Sequence, residues 1–360
     1  MSVLSARWVL PIAGPPHRGG WVEIAQGRIV RVGSGRPPAG ATDLGDVAIL
    51  PGLVNAHTHL ELGWMAGRIP PAASMDEWIL ALMRLRRAGV PGGAEAERAA
   101  ARAGAHALRS AGTALVGDIS NTLLTPALLA ETGLGGVVFH ELLGFNAPDP
   151  KGMVEAAWAR IDQTTSALSS GSAAWPLALT PVAHAPYSVS PALFRAIHAA
   201  RRRVPLSLHL AESNEEVEFL RSGTGPLRRL LETLGAWHDG WSVPGSDPIA
   251  YVRALGYLQP GTLVVHAVHA TVRGLDALRE AEAVLVTCPR SNEWVGAGPP
   301  PLARFYASGV PVAVGTDSLA SAPSLNLFDE LAAMRRLAPE VTAAALLNSA
   351  TRVGATALGF

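Results

Sequence analysis

Cysteine is almost absent: Cys288 is the only one in 360 residues, so no disulfide can form within the chain. Lysine is nearly as scarce. The basic residues are almost all arginine, and Lys151, in the turn-like stretch NAPDPKG, stands alone. Net charge is also missing, because 29 basic residues balance 29 acidic ones. That balance excludes the electrostatic footprint of a nucleic-acid binder and an acidic solvating tail. No apolar run approaches the about 20 residues that a membrane-spanning helix needs. The opening MSVLSARWVLPIAG lacks a cationic start, an apolar stretch and a small-residue cleavage site in succession, so it does not read as a secretory signal. Together these absences predict a cytoplasmic protein that binds neither nucleic acid nor membrane.

What is present is a globular composition, 49% apolar, long enough for one barrel of roughly 250 residues and a smaller layer. Glycine and proline are plentiful without a repeat period and read as loop punctuation. Residues 1–50 contain short β-type runs (RWVLPI, GGWVEIAQGRIVRVG, ATDLGDVAILPG) and predict a small β-layer. Eight apolar runs then alternate with alanine-rich helical segments: 47–54, 113–120, 136–144, 175–182, 204–210, 262–268, 283–289 and 310–317. Such alternation implies parallel βα units, and eight of them favour a closed (β/α)8 TIM-like barrel over an open doubly wound sheet. The prediction is an α/β chain with a small, incomplete β-sandwich layer at 1–50, the barrel at 51–345 and a C-terminal segment at 346–360. The long connection 213–260 predicts helices with a glycine break, EEVEFLRSGTGPLRRLLETLG, and a lid.

Barrels gather chemistry at the C-terminal ends of their strands. His57 and His59 follow the first predicted strand in NAHTHLEL, His209 ends the fifth with Glu212 three residues on, His266 ends the sixth, and Asp317 ends the eighth in GTDS. An isolated HxH pair arises often by chance, and a strand-end histidine is commonly a hydrogen-bonded core residue. The set is what points to chemistry: His57, His59, His209 and Asp317 form a three-imidazole, one-carboxylate donor set suited to zinc, with ferrous iron as the other fit. Glu212 and His266 lie beside it as helpers.

PGLVNAHTHLEL, HLAE, CPRSN and GVPVAVGTDS together resemble the amidohydrolase superfamily, in its adenosine/cytosine deaminase-like and chlorohydrolase-like branch, over essentially the whole chain. The resemblance implies a single divalent metal ion on His57, His59, His209 and Asp317. It implies Glu212 as proton shuttle, His266 as the residue that orients the attacking water, Asp317 as acceptor of the water proton, and His184 as a substrate contact. Binuclear members bridge two ions with a carboxylated lysine at the end of strand four. Lys151 lies before that strand, which favours a mononuclear site, with a bridging glutamate as the remaining route to two ions. Relatives usually continue past the barrel with strands that complete the β-layer. This chain stops at GATALGF, which predicts a shortened end or a missing tail, and a homodimer is expected by resemblance.

Within the branch, HTHLEL, the long segment after strand five and CPRSN are most similar to aminodeoxyfutalosine deaminases. These act in menaquinone biosynthesis on an adenine nucleoside that carries a benzoate. The implied reaction is hydrolytic deamination of that adenine ring. Deamination of S-adenosylhomocysteine, methylthioadenosine or adenosine is the neighbouring alternative, and amide or halide hydrolysis is the second enzyme class. Guanine or cytosine deamination fits the metal site but needs no long rim segment. Base-flipping polymer deaminases carry a histidine/cysteine signature absent here. Arg290 is the candidate partner for the carboxylate, with Ser291 and Asn292 beside it at the rim, because a guanidinium fork matches a carboxylate. Glu61, Trp64, Glu141 and Asn146 are further candidate substrate contacts, and Trp78 is expected in the core. His140 is weighed between the barrel mouth and a supporting role. Cys288 reads as a buried small residue.

Overall fold

A computed structural model of the chain describes residues 1–168 and 176–360. It divides into two compact units, Met1–Leu53 and Val54–Phe360. In the first, β1 (Ser2–Val9), β2 (His17–Ala25) and β3 (Arg28–Ser34) form an antiparallel meander, and the short β4 (Thr42–Asp43) and β5 (Ala48–Ile49) pair in parallel with β1. The small β-layer is therefore a single five-stranded sheet.

Among the described residues the second unit carries eight strands: β6 (Leu53–Thr58), β7 (Thr113–Ser120), β8 (Gly135–Leu142), β9 (Leu177–Ala183), β10 (Ser207–Leu210), β11 (Leu263–His266), β12 (Val284–Thr287) and β13 (Val312–Val314). They run as two four-stranded parallel sheets. Two contacts join these into a closed ring. The His209 amide donates to the His184 carbonyl at 2.8 Å between β10 and the end of β9, and Thr58 bridges Asp317 between β6 and the end of β13. All six residues of β6 are buried. Parallel strands covered on both faces need continuous apolar runs, which is why these segments read clearly in the sequence.

The predicted run 47–54 spans parts of two strands. Pro51 and Gly52 separate Ala48–Ile49, which pairs with β1, from β6, because proline offers no ladder donor. Trp175, the first residue of the fourth predicted run, lies outside the described residues. The connection after β10 carries helices Asn214–Ser222, Pro226–Thr233 and Pro248–Ala254. The glycine break falls between the first two, at Gly223 (φ 71°) and Gly225 (φ 91°), where a left-handed backbone stops one helix and starts the next. The chain's last segments, Ala343–Asn348, Ser349–Val353 and Gly354–Ala357, are helical and belong to the larger unit. Among the described residues no helix is long and apolar enough to cross a membrane.

Below the strand ends, Asp118 of β7 is fully buried and accepts the Leu60 amide at 3.0 Å. Burial pushes its carboxyl up from 3.8 to about 8. The folded protein therefore holds a proton that the unfolded chain releases, and stability falls as pH rises from about 4 through about 8. Asp118→Asn should remove this dependence. Relative to the wild type, its melting temperature should improve steadily toward alkaline pH. Parallel wild-type and variant curves over that window would refute the assignment.

Candidate active site

Every strand-end candidate except Arg290 and the three peripheral contacts converges on the C-terminal mouth of the barrel. The Nε2 atoms of His57 and His59 stand 3.2 Å apart. Asp317 Oδ1 lies 3.4 Å from His59 Nε2 and 3.7 Å from His57 Nε2. Donors held at 2.0–2.1 Å around a tetrahedral ion would be separated by about 3.3 Å, so these atoms already occupy the corners of such a site. His57 also belongs to an overlapping cluster with His209 and His266. His209 turns Nδ1 toward His266 Nε2 (3.1 Å) and Nε2 toward Glu141 Oε1 (3.4 Å). Burial alone would lower its pKa, but the Glu141 carboxylate outweighs burial and raises it to about 9, so metal binding at His209 would release a proton. Burial lowers the basicity of His57, and it pushes His59 down to about 3. Both rings are unprotonated donors across the neutral range. The residues fit a divalent metal ion.

Close approach of β6 and β13 requires Gly315. A Cβ there would lie 2.7 Å from the His57 carbonyl oxygen and Cβ, and 3.0 Å from Cys288 Sγ. Cys288 is buried, and burial raises its thiol well above the usual value, so it remains a packing residue. The strand ends are also strained. Ala211 (φ 51°), His266 (φ 74°), Ala267 (φ 51°) and Asp317 (φ 58°) all adopt left-handed backbone without glycine. Each such residue costs about 1–3 kcal/mol and persists only where its surroundings enforce it.

Those surroundings are visible. Asp317 Oδ2 accepts hydroxyl hydrogen bonds from Ser291 (2.5 Å) and Ser321 (3.0 Å). Burial alone would raise the Asp317 carboxyl, but the His57 hydrogen bond and the neighbouring imidazoles hold it well below the usual range. His266 meets the Asn292 amide at Nδ1 (2.9 Å), while its Nε2 faces His209 Nδ1 (3.1 Å) and Glu212 Oε1 (3.4 Å). Burial lowers its pKa well below the ordinary value. Glu212 is buried too, and burial, reinforced by Asp317 and Glu216 against the pull of His209, raises its carboxyl to about 8. The turn that aims Glu212 is gripped by a second carboxylate. Ser213 caps the helix Asn214–Ser222 through the Glu216 amide, and Glu216 reaches back to accept the amides of Ala211 (3.0 Å) and Glu212 (2.9 Å). This resembles a capping box, with the returning side chain displaced toward the strand end.

The cavity above this centre is lined by His59, His184, His209, Glu212, His266 and Asp317. Glu141 joins them, 3.4 Å from His209 Nε2 and hydrogen-bonded to Asn121 Nδ2 at 3.0 Å. His184 Nδ1 contacts Ser188 Oγ at 2.6 Å, and burial lowers its pKa to about 4. An aliphatic and aromatic wall, including Trp78, Leu82, Leu143, Leu230 and Leu231, completes the cavity.

Seven residues depart from expectation. Arg290 does not line the cavity. Its guanidinium is largely buried against Asp329 (3.5 Å), Glu330 (3.4 Å) and Ser324 Oγ (3.0 Å). Ser291 and Asn292 are fully buried beneath the site, because the short helix Pro289–Trp294 turns them inward onto Asp317 and His266. Glu61 lies in a 3-10 turn, and its carboxylate is occupied by the Ser120 and Thr122 hydroxyls and the amides of Asn121, Thr122 and Leu124. It secures the loop after β7. Asn146 donates to the Gly235 carbonyl (3.2 Å), and Trp64 packs on Leu62, Met65 and Ile69 with Arg68 over its ring; neither lines the cavity. Trp78, expected in the core, does line it. His140 is buried with Nδ1 on the Ser120 carbonyl at 3.0 Å, a supporting position.

The amidohydrolase family model matches residues 48–360. The chain belongs to the amidohydrolase family. Its members are metal-dependent hydrolases, and this chain is an enzyme of that class with a one-ion His/Asp centre. Similar family proteins include the aminodeoxyfutalosine deaminase of Deinococcus radiodurans, 33% identical over 345 residues that cover 89% of this chain and 76% of that protein. The 5-methylthioadenosine/S-adenosylhomocysteine deaminase of Nitratidesulfovibrio vulgaris is 29% identical over 360 residues, covering 94% of this chain and 74% of that one. Among solved amidohydrolase structures, Helicobacter pylori aminofutalosine deaminase in complex with methylthio-coformycin superposes with a TM-score of 0.83 at 25% identity, covering 100% of this chain and 88% of that one.

Proposed function

We propose that this amidohydrolase deaminates the adenine ring of a nucleoside-like metabolite, 6-aminodeoxyfutalosine, releasing ammonia for menaquinone biosynthesis. The observation that carries the reading is Glu212. It is a buried carboxyl with its pKa raised to about 8, lining the same cavity as the His57, His59 and Asp317 donor set. A group that is protonated near neutral pH and can later give up that proton suits acid–base work on a ring nitrogen and a leaving amine. The 33% identical relative supports the choice of substrate.

In this reading His57, His59, His209 and Asp317 hold one divalent ion, zinc by donor type. Such an ion supplies a water acidic enough to act as a nucleophile near neutral pH. Asp317, held ionised, takes the proton of the attacking water. His266, neutral and fixed at Nδ1 by Asn292, orients that water through Nε2. Glu212 gives its proton to the ring nitrogen beside the amine-bearing carbon and then carries a proton to the departing amine. His184 contacts the substrate from the end of β9. A cytoplasmic homodimer completes the proposal.

The apolar wall favours methylthioadenosine as a second reading, since a short thioether would pack there, and the 29% identical relative is consistent with it. The test is a panel of aminodeoxyfutalosine, methylthioadenosine, S-adenosylhomocysteine, adenosine and guanine on zinc-loaded enzyme, read by purine absorbance and ammonia. The expected result is a kcat/KM for aminodeoxyfutalosine that exceeds every other. Preference for another adenosine derivative would keep the chemistry and reject the substrate. No ammonia from any of them would reject deamination in favour of amide or halide hydrolysis.

A further inference from the structure

Helix Met75–Ala88 lays one face along the cavity. Met75, Trp78, Ile79, Leu82, Met83 and Arg86 line it, spaced as consecutive steps of a single helical stripe. Five of the six are apolar. The stripe ends in a charge, and Arg86 is the only guanidinium or ammonium group lining the cavity among the described residues.

This charge is not consumed by the protein. Arg86 Nη2 donates to Asn121 Oδ1 at 3.1 Å, its one side-chain hydrogen bond among the described residues. No carboxylate among them lies within ion-pair distance of it, although Glu97 and His184 feel its field. Arg290 differs, being enclosed by two carboxylates. A guanidinium has five N–H donors in a planar fork, so most of the Arg86 fork is open. Asn121 holds it in register with the centre, because Asn121 Nδ2 donates to Glu141 Oε2, and Glu141 Oε1 lies against His209.

We propose that Arg86 is the anion-recognition residue of this site. It pairs with a carboxylate at the far end of the substituent that the adenine nucleoside carries, while the apolar stripe packs the aryl or alkyl spacer between. The inference rests on the aminodeoxyfutalosine reading above and adds the residue that selects its carboxylate.

The experiment compares wild type, Arg86→Met and Arg86→Lys on aminodeoxyfutalosine and on its benzamide counterpart, in which the carboxylate is replaced by a neutral carboxamide. The readout is the ratio of kcat/KM for the two substrates. Loss of a hydrogen bond to a charged group predicts that Arg86→Met lowers this ratio by about 10- to 100-fold, mainly through KM, with Arg86→Lys between. Because each enzyme serves as its own control, partial misfolding leaves the ratio intact. A wild type that prefers the carboxylate and an Arg86→Met variant that keeps the preference would overturn the role of Arg86 alone. A wild type without any preference would overturn the carboxylate substrate and the role of Arg86 together.

Discussion

Glu212→Gln should lower kcat by about 10³-fold or more while leaving the metal content at one ion per chain, since a positioned acid–base group contributes 10²–10⁴-fold. Glutamine keeps the shape of the side chain and removes only its titratable proton. The Ala211 and Glu212 amides that Glu216 grips are backbone groups, so the turn survives the exchange. KM should change far less than kcat, because the lost proton transfer acts in the transition state. The measurement is steady-state ammonia release alongside elemental analysis of the same preparation. A kcat within tenfold of wild type would exclude Glu212 as the proton shuttle and shift attention to Asp317 and Glu141, the other carboxyls lining the cavity.

Removal of the metal ion should be equally severe. Chelation is expected to reduce turnover to background, and one equivalent of zinc per chain should restore it. Chelation would also remove the ligand that would tie together His57 and His59, whose Nε2 atoms stand 3.2 Å apart, so the apo protein should melt earlier. A ligand that binds only the folded state contributes about 4 kcal/mol at roughly 1,000 times its Kd. Both effects can be followed on one titration series by calorimetry and activity. Two ions per chain at full activity would contradict the mononuclear centre. Undiminished turnover after complete metal removal would contradict the metal-dependent mechanism altogether.

The sequence exposed the fold because barrel strands are buried on both faces and therefore apolar along their whole length. All eight predicted runs overlap a barrel strand, the first of them only in its last two residues, and the helix break at Gly223 and Gly225 was legible from composition. The metal-ligand candidates were legible for a related reason: polar residues are costly at the ends of such strands and stand out against them. Residues that act through a turn were harder to read. Ser291 and Asn292 looked like rim residues because nothing in CPRSN announces that a short helix will rotate them under Asp317 and His266. Glu61 looked like a free carboxylate, yet it is consumed by backbone amides, and nothing in the sequence singled out Glu216, which grips the Ala211 and Glu212 amides. Arg86 and Trp78 were obscured because an amphipathic helix gives the same pattern whether its apolar face meets the protein core or a cavity. The choice of Arg290 failed on partners that lie far along the chain, Asp329 and Glu330.

The wall of the cavity and its floor have separate origins in the chain. The floor is assembled from strand ends whose geometry the whole barrel enforces, down to left-handed backbone at Ala211, His266 and Asp317. Most of the wall comes from two helices, Met75–Ala88 and Pro226–Thr233, that lie in long connections between strands. A lineage could exchange those helices, and with them the guest, without disturbing hydrolysis. Substrate choice would then drift quickly over evolutionary time while the reaction stayed fixed. In a laboratory library, randomising these two helices should yield new nucleoside preferences at a far higher rate than randomising the strand ends, where most changes would abolish turnover.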